Sequence, residues 1–311
     1  MKPSVNIFWF RRDLRLYDNA GLFHALGSSR PVLPIFIFDR NILDDLENKR
    51  DSRVEFIYRS LEIIQKKLVQ LKCSLNVYYG RPLEIFSSIC DNFDIGKVFT
   101  NEDYEPYSRK RDEEIESLLK KRGVAFQSYK DHVIFSKNEV QKEDGYPYTV
   151  FTPYSNKWKA LLNRPDTNAL KSFPSESLFE NLFRQPETNF PKPDELGFTF
   201  NGVKFPSGAP DPELIRKYAA FRDYPGLDAT SHLGVHLRFG TLSIRELAAG
   251  VSILSPVFLN ELIWRDFYQM ILWHFPEVGA GRAFKRAYEN ISWRNNEEEF
   301  QSWCEEQDIH W

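Results

Sequence analysis

Cysteine is scarce. Cys73, Cys90 and Cys304 are scattered and odd in number, a pattern that excludes a disulfide framework and a cysteine-rich metal site and points to reduced thiols in a cytoplasm. Methionine is scarcer still, two residues against twenty-six phenylalanines, so the interior is expected to be rich in aromatic side chains. A surplus of one charge is also missing: the formal net charge is −3, which gives no sign of a nucleic-acid partner. Residues 211–311 carry ten Lys and Arg against fifteen Asp and Glu, so DNA binding would have to rest on a local basic patch. Long apolar runs are absent at the N-terminus, where residues 5–10 stop at Arg11, Arg12 and Asp13; this is neither a signal peptide nor a membrane span. A soluble cytoplasmic protein with no membrane partner is the expectation. What the chain does have is 42% hydrophobic and 15% aromatic residues over 311 positions, enough to bury a large core and divide into two domains.

Residues 5–10 and 32–38 are apolar runs of strand length with a short helical stretch at 20–26 between them, the β–α–β signature of a parallel sheet. Over 53–71, Phe56, Ile57, Leu61, Ile64 and Leu68 recur at a helical period. Strands are predicted at 75–79, 97–100 and 124–129, with helices at 82–90 and 108–122, the second closing at Gly123. Residues 1–131 are therefore read as an α/β domain, a doubly wound, Rossmann-like parallel sheet of five strands, expected to fold alone. No G-x-G-x-x-G follows the first strand, so the dinucleotide fingerprint is missing. The first turn instead holds Arg11, Arg12, Asp13 and Arg15, read as a salt-bridged edge or a contact to the second domain, with an anion site as the alternative. Residues 132–210 are rich in Pro, Phe, Ser and Asn and show only one short helix, at 154–162. A connection this long reads as an interdomain linker wrapped over both domains.

From 211 onward the pattern is almost wholly helical. Asp211 and Pro212 make a good helix start, with Leu214, Tyr218 and Phe221 along one side. Pro225 and Gly226 then break the chain, and Thr230 and Ser231 follow where a new helix could begin. Unpaired amides and small hydroxyls at such a point suit a phosphate; the plain alternative is that they only cap helices. Ser243 with Glu246 is a capping box for the next helix. In the helix predicted at 258–275, Glu261, Trp264, Arg265 and Tyr268 stand at i, i+3, i+4 and i+7 and share one face, while Ile263, Phe267, Met270 and Ile271 form a core face. A Trp and an Arg beside a Glu would suit a cleft for a flat polar ligand such as a base. Packing of Trp264 and an ordinary Glu261–Arg265 helix pair is the competing reading.

The stretch R-D-Y-P-G-L-D-A-T-S-H-L-G-V-H-L-R-F-G at 222–240, then N-E-L-I-W-R-D-F-Y at 260–268 and W-F-R-R-D-L-R-L-Y-D-N at 9–19 resembles the DNA photolyase/cryptochrome family in three separated places and in that family's order. The resemblance implies FAD as cofactor and light-driven splitting of cyclobutane pyrimidine dimers in damaged DNA, by electron donation from the reduced flavin. By position in the motifs, it implies flavin contacts from Tyr218, Thr230, Ser231 and Leu233, lesion contacts from Glu261, Trp264 and Arg265, and an electron-transfer role for the surface residue Trp293; no metal is implied. It also implies an α/β domain able to hold an antenna chromophore of unknown identity. Folate-binding members carry an Asn-Glu pair where this chain has Tyr107-Ser108, which argues against folate. Arg282, Lys285, Arg286 and Arg294 against Glu289 would give a local phosphate rim.

Two departures stand out. Gly234 occupies a position that is usually Ser in the family, removing one hydroxyl contact. After W-C-E the family continues into further helices that complete the flavin pocket, whereas this chain reads C-E-E-Q-D-I-H-W and stops. Residues 211–311 are accordingly expected to form an incomplete all-α FAD-binding domain, and the shortened chain to be impaired or inactive as a photolyase. A complete version would be a monomer. A cryptochrome-type blue-light receptor and a non-catalytic fragment are the alternatives.

Overall fold

The computed structural model describes residues 2–305, so the closing residues 306–311 of the C-E-E-Q-D-I-H-W stretch lie outside the described part. Strand β1 (Ser4–Phe10) runs through the centre of one parallel sheet with β2 (Val32–Asp39), β3 (Asn76–Gly80), β4 (Asp94–Asn101) and β5 (Ala125–Tyr129), in the order β3-β2-β1-β4-β5. β1 and β2 are buried on both faces, which is why they read as unbroken apolar runs rather than alternating ones. Alternate side chains still divide between two cores. Phe8 and Phe10 face α1 (Ala20–Leu26) and α3 (Ser52–Gln70), beyond the short α2 (Arg40–Leu43), whereas Ile7 and Trp9 face α4 (Pro82–Asn92) and α5 (Pro106–Lys121). Asn19 and Asp51 cap α1 and α3 by accepting from the amides of Leu22 and Arg53. This is the doubly wound sheet that the spacing predicts.

The linker lies over both parts, as its composition predicts. Its first half is part of the helical core: Ile134, Phe135 and Val140, with Tyr154 and Trp158 of α6 (Phe151–Leu162), pack with the helices that follow. Its second half returns to the sheet, where a 3₁₀ turn at Ser175–Asn181 leads to Leu182, Phe190, Phe198, Phe200 and Phe205 packed on the α3 face. The aromatic side chains at irregular spacing are what pin it, and irregular spacing carries no period for a sequence reading to detect. Residues 1–131 alone would leave that face uncovered. A fragment 1–131 is expected to aggregate and a fragment 1–206 to be better behaved; equal solubility and equal Tm of the two would show that the linker contributes nothing to the sheet.

The C-terminal part comprises α7 (Pro212–Phe221), α8 (Gly234–Phe239), α9 (Ile244–Leu254), α10 (Pro256–His274), α11 (Pro276–Gly279) and α12 (Glu297–Cys304). Ile215 is the buried residue of α7, and Phe221, on the side that carries Leu214 and Tyr218, is exposed. Two expectations need correcting. α8 begins at Gly234 with Leu233 as its N-cap residue, so Thr230 and Ser231 lie in the preceding turn and cap nothing. Residues 222–233 and 280–296 are mostly irregular rather than helical.

The charges after β1 form a salt-bridged edge on the α/β part and, deeper down, join it to the helical part. Arg11 pairs with Asp112 at 2.5 Å and Arg12 with Asp103 and Glu105 at 3.2 and 2.9 Å. Deeper down, Asp131 is fully buried between Arg15 (2.8 Å) and Arg245 (2.9 Å), and Arg245 also reaches Asp18. Burial by itself would raise the Asp131 carboxyl, but the two guanidinium groups outweigh it and hold the group at about 2. At the end of α8, Gly240 adopts φ +62° and an added Cβ would lie 2.3 Å from the Arg12 carbonyl oxygen, so only glycine lets α8 approach this loop. The amide of Leu14 donates to the Phe239 carbonyl at 2.9 Å across the same contact.

Candidate functional site

α7 starts where Asp211 accepts from the amides of Glu213 and Leu214 and Pro212 takes the first helical position. One turn before its end Tyr218 lies half-buried, edge-on to Phe258 of α10 with ring centroids 4.9 Å apart. Arg222, the residue after the helix, stands 5.0 Å from the Tyr218 ring and forms an ion pair with Glu261. This settles the partner of Glu261: it is Arg222, and no Glu261–Arg265 helix pair forms.

The chain then crosses an exposed turn. Tyr224, Leu227, Thr230 and His232 are exposed, Ser231 is partly so, and Leu233 is buried in the helical core. His232 has φ +51° and its Nε2 lies 2.7 Å from Asp228 Oδ1. The amide of Leu233 donates to Ser231 Oγ over a long 3.4 Å, and the first turn of α8 has no side-chain cap. An added Cβ at Gly234 would meet nothing within 4 Å. Thr230, Ser231 and Gly234 thus form an open shelf of hydroxyls and uncapped amides, chemistry that accepts anionic oxygen.

α10 is started by Ser255, which accepts from the Phe258 amide at 3.3 Å. Ile263, Phe267, Met270 and Ile271 are buried as predicted. The opposite face is less uniform than its spacing suggests. Trp264 is half-buried and stacked flat on Phe151, at 3.5 Å between centroids and 4° between planes, with Tyr268 at 5.5 Å and exposed. Arg265 turns inward and donates to the backbone carbonyls of His132 and Leu237, the latter at 3.2 Å; burial pushes its guanidinium down to about 10. Arg265 is therefore spent on fixing the helix, not on lining a cleft with Glu261 and Trp264.

Asp266 does the same from the neighbouring position and was missed by the sequence reading. Its Oδ2 accepts from the amides of Ile134 and Phe135, both at 3.1 Å, and from Trp158 Nε1 at 3.0 Å. A signal was present: position 266 falls on the same stripe as Ile263 and Met270, and a carboxylate there must find buried partners. Burial outweighs these donors and pushes the Asp266 carboxyl up to about 6. Beside it His132 is buried near the Arg265 and Arg12 charges, which brings its imidazole down to about 3, and its Nε2 has no partner.

These two groups act on stability with opposite sign. A lowered histidine contributes stability that is complete above its ordinary pKa near 6.5 and is lost as pH falls from about 6.5 towards 3; a raised carboxyl gains stability as pH falls from about 6 to 4. Replacing His132 with Phe is expected to remove about 2 kcal/mol of the stability loss between pH 6.5 and 4.5. Denaturant titrations of both proteins at the two pH values measure this; an unchanged difference would mean that His132 does not titrate against folding.

Trp293 is 79% exposed, a surface position rather than a packing one. It stands in the irregular 280–296 segment near Arg282, Lys285, Arg286 and Arg294 in sequence, all exposed, and Arg294 pairs with Glu299.

Comparison with known proteins then decides the family. The family model described as DNA photolyase matches residues 6–174, more than half of the chain. The chain belongs to the DNA photolyase family. A second model, the FAD binding domain of DNA photolyase, matches residues 258–307, the segment that contains Glu261, Trp264, Arg265 and Trp293. Among curated photolyases, the deoxyribodipyrimidine photo-lyase of Synechococcus sp. is 28% identical over 97% of this chain and 67% of that protein. That of Vibrio cholerae is 29% identical over 97% and 68%. The crystal structure of an archaeal photolyase from Sulfolobus tokodaii, solved with two FAD molecules, superposes with a TM-score of 0.71 at 27% identity, covering 97% of this chain and 67% of that one. This photolyase-family chain thus spans about two thirds of the length of these relatives. No helix among the described residues is long and apolar enough to cross a membrane.

Proposed function

We propose that this chain carries one side of a photolyase centre, in which light and reduced FAD split a cyclobutane pyrimidine dimer in DNA. The observation that supports it best is α10: Glu261 and Trp264 are held partly exposed on a helix whose back is fixed by Arg265 and Asp266, inside the segment that matches the FAD-binding model. The residues present fit one side of the cofactor. Thr230, Ser231 and the backbone next to Gly234 and Leu233 would take its phosphates, with Tyr218 beside them, because these groups are uncapped and open. The absent Ser at 234 costs one hydroxyl, but the missing Cβ also lets a phosphate approach the amides more closely.

When bound and reduced, FAD would supply the electron that opens the cyclobutane ring. The chain's own groups would bind and orient. Trp264 offers an aromatic platform to a base taken out of the helix, as in other enzymes that flip their target. Glu261, held in place by its ion pair with Arg222, would accept a hydrogen bond from a pyrimidine N–H. Arg265 supports both by anchoring the helix and is a positioning residue. Trp293 would stand at the solvent end of an electron path, and the exposed cations from Arg282 to Arg294 would meet the DNA backbone.

Trp264→Ala is expected to lose roughly 1–3 kcal/mol of affinity for dimer-containing DNA, one base–aromatic stack, read by fluorescence anisotropy against undamaged DNA of the same sequence. A loss shared equally by both DNAs would remove the lesion contact. Flavin binding with no preference for damaged DNA would favour a cryptochrome-type receptor instead.

A further inference from the structure

In open α/β sheets ligands usually enter at the carboxyl ends of the strands where the order reverses, which here lies between β1 and β4. That crevice is closed. The Arg11 and Arg12 ion pairs and Asn101 fill it, leaving about 10 Å³, room for one water at most. A cavity of about 830 Å³ lies elsewhere, between α3, α9, the loop after β1 and residues 205–212, and falls within the ordinary size range of small-molecule sites. None of Tyr218, Thr230, Ser231, Leu233, Glu261, Trp264, Arg265 or Trp293 lines it.

We propose that this cavity binds an amphipathic acid, a molecule with an aliphatic body and one anionic head. The wall is mostly aliphatic, from Leu16, Ile64, Leu242, Leu247, Val251 and Leu254. On the α3 side Arg59, Ile63 and Lys67 follow one another at i, i+4 and i+8 and therefore line one edge of the mouth. Ile63 is 70% exposed there with no covering element. Arg59 is already paired with Glu55 and Glu62, whereas Lys67 is exposed, stands 5.8 Å over the Phe179 ring and has no ion-pair partner among the described residues, so Lys67 is the cation whose charge is not yet met by a carboxylate. An aliphatic body inside and a cation on the α3 edge match a fatty carboxylate with its head at Lys67, while Glu246, which lines the cavity from α9, is the group that would favour a cationic amphiphile instead.

Gly250 supplies an independent observation. It sits inside α9 and lines the cavity, yet its backbone is helical, and a Cβ built there would meet nothing within 4 Å. Glycine is the poorest helix former after proline, so neither the helix nor the packing calls for it. What its small size does is keep the cavity open. Gly208, also in the lining, is different: a Cβ there would press on the His236 ring at 2.9 Å.

The test uses the full chain and cis-parinaric acid, a polyene fatty acid whose fluorescence rises in apolar surroundings. One saturable site is expected, displaced by laurate more effectively than by dodecanol or dodecylamine. Gly250→Phe is expected to weaken parinarate binding at least tenfold without lowering Tm, with Gly250→Ala as the control that raises Tm and leaves most of the affinity. Lys67→Glu is expected to weaken the acid several-fold and leave competition by dodecanol unchanged. Absence of saturable binding, or affinity unaffected by Gly250→Phe, would overturn the site. Equal displacement by all three amphiphiles would overturn the assignment to an acid. Because no residue of the lesion surface takes part, these outcomes are independent of whether the chain repairs DNA.

Discussion

Purified alone, the chain is expected to be colourless, to lose added FAD on gel filtration and to leave dimer-containing DNA unrepaired under blue light. The reason is exposure rather than a missing contact residue. An isoalloxazine ring is large and mostly apolar and needs cover on several sides, while the proposed shelf of Thr230, Ser231 and Gly234 would meet only the phosphates of the cofactor. Around it and in the 280–304 region stand Phe221, Tyr224, Leu227, Tyr288, Trp293, Phe300 and Trp303, all exposed. At about 25 cal/mol per Å² of apolar surface, each 100 Å² of ring face left wet forgoes roughly 2.5 kcal/mol of binding, or nearly two powers of ten in Kd. Exposed aromatic side chains in this number also favour self-association. The measurement is an absorbance spectrum before and after desalting, followed by a blue-light repair assay. A yellow, monomeric protein that restores dimer-containing DNA would overturn the expectation and show that the described residues enclose the flavin unaided.

The second large effect is expected at Asp131. Its carboxylate is fully buried and shared by Arg15 and Arg245, and it also accepts from the Ala20 amide at 3.0 Å. Asp131→Ala would leave two guanidinium groups facing each other out of water, with Asp18 as the remaining nearby carboxylate on Arg245. Removing one partner from a buried charge network typically costs about 3–5 kcal/mol, a large share of the stability of an ordinary domain. Urea unfolding of the two proteins measures the difference. The variant is also expected to expose the junction of the α/β and helical parts to protease before either core is cut. A loss below about 1 kcal/mol would place the energy of the junction in its apolar contacts.

Much of the α/β part was legible because its signals are local. Phe8, Trp9 and Phe10 form a run that only a doubly covered strand explains, and α1 and α5 end where a glycine or a tight turn closes them. The helical part was legible in its elements and less so in its site. Spacing places Arg265 beside Trp264 and Glu261, but whether an arginine at that position turns to water or to the carbonyls of His132 and Leu237 depends on residues that lie 133 and 28 positions away. Distance along the chain also hides the partner of Glu261, Arg222, which follows α7, and Phe151, which covers one face of Trp264. Thr230 and Ser231 looked like caps because small hydroxyls after a Pro-Gly break usually are; here the chain takes one more turn, through the positive φ of His232, before α8 starts.

The path of residues 132–210 has a mechanical consequence. The chain leaves the sheet at Asp131, packs into the helical core through Trp158, comes back to the sheet with Ser175 donating to the Leu16 carbonyl and the Phe183 amide to that of Val32, and crosses again at Pro206, whose carbonyl meets His236. The two bodies are laced together by three passes of one cord. A single cut in any pass leaves the other two tied, so a nicked molecule should migrate as one particle until denaturant is added.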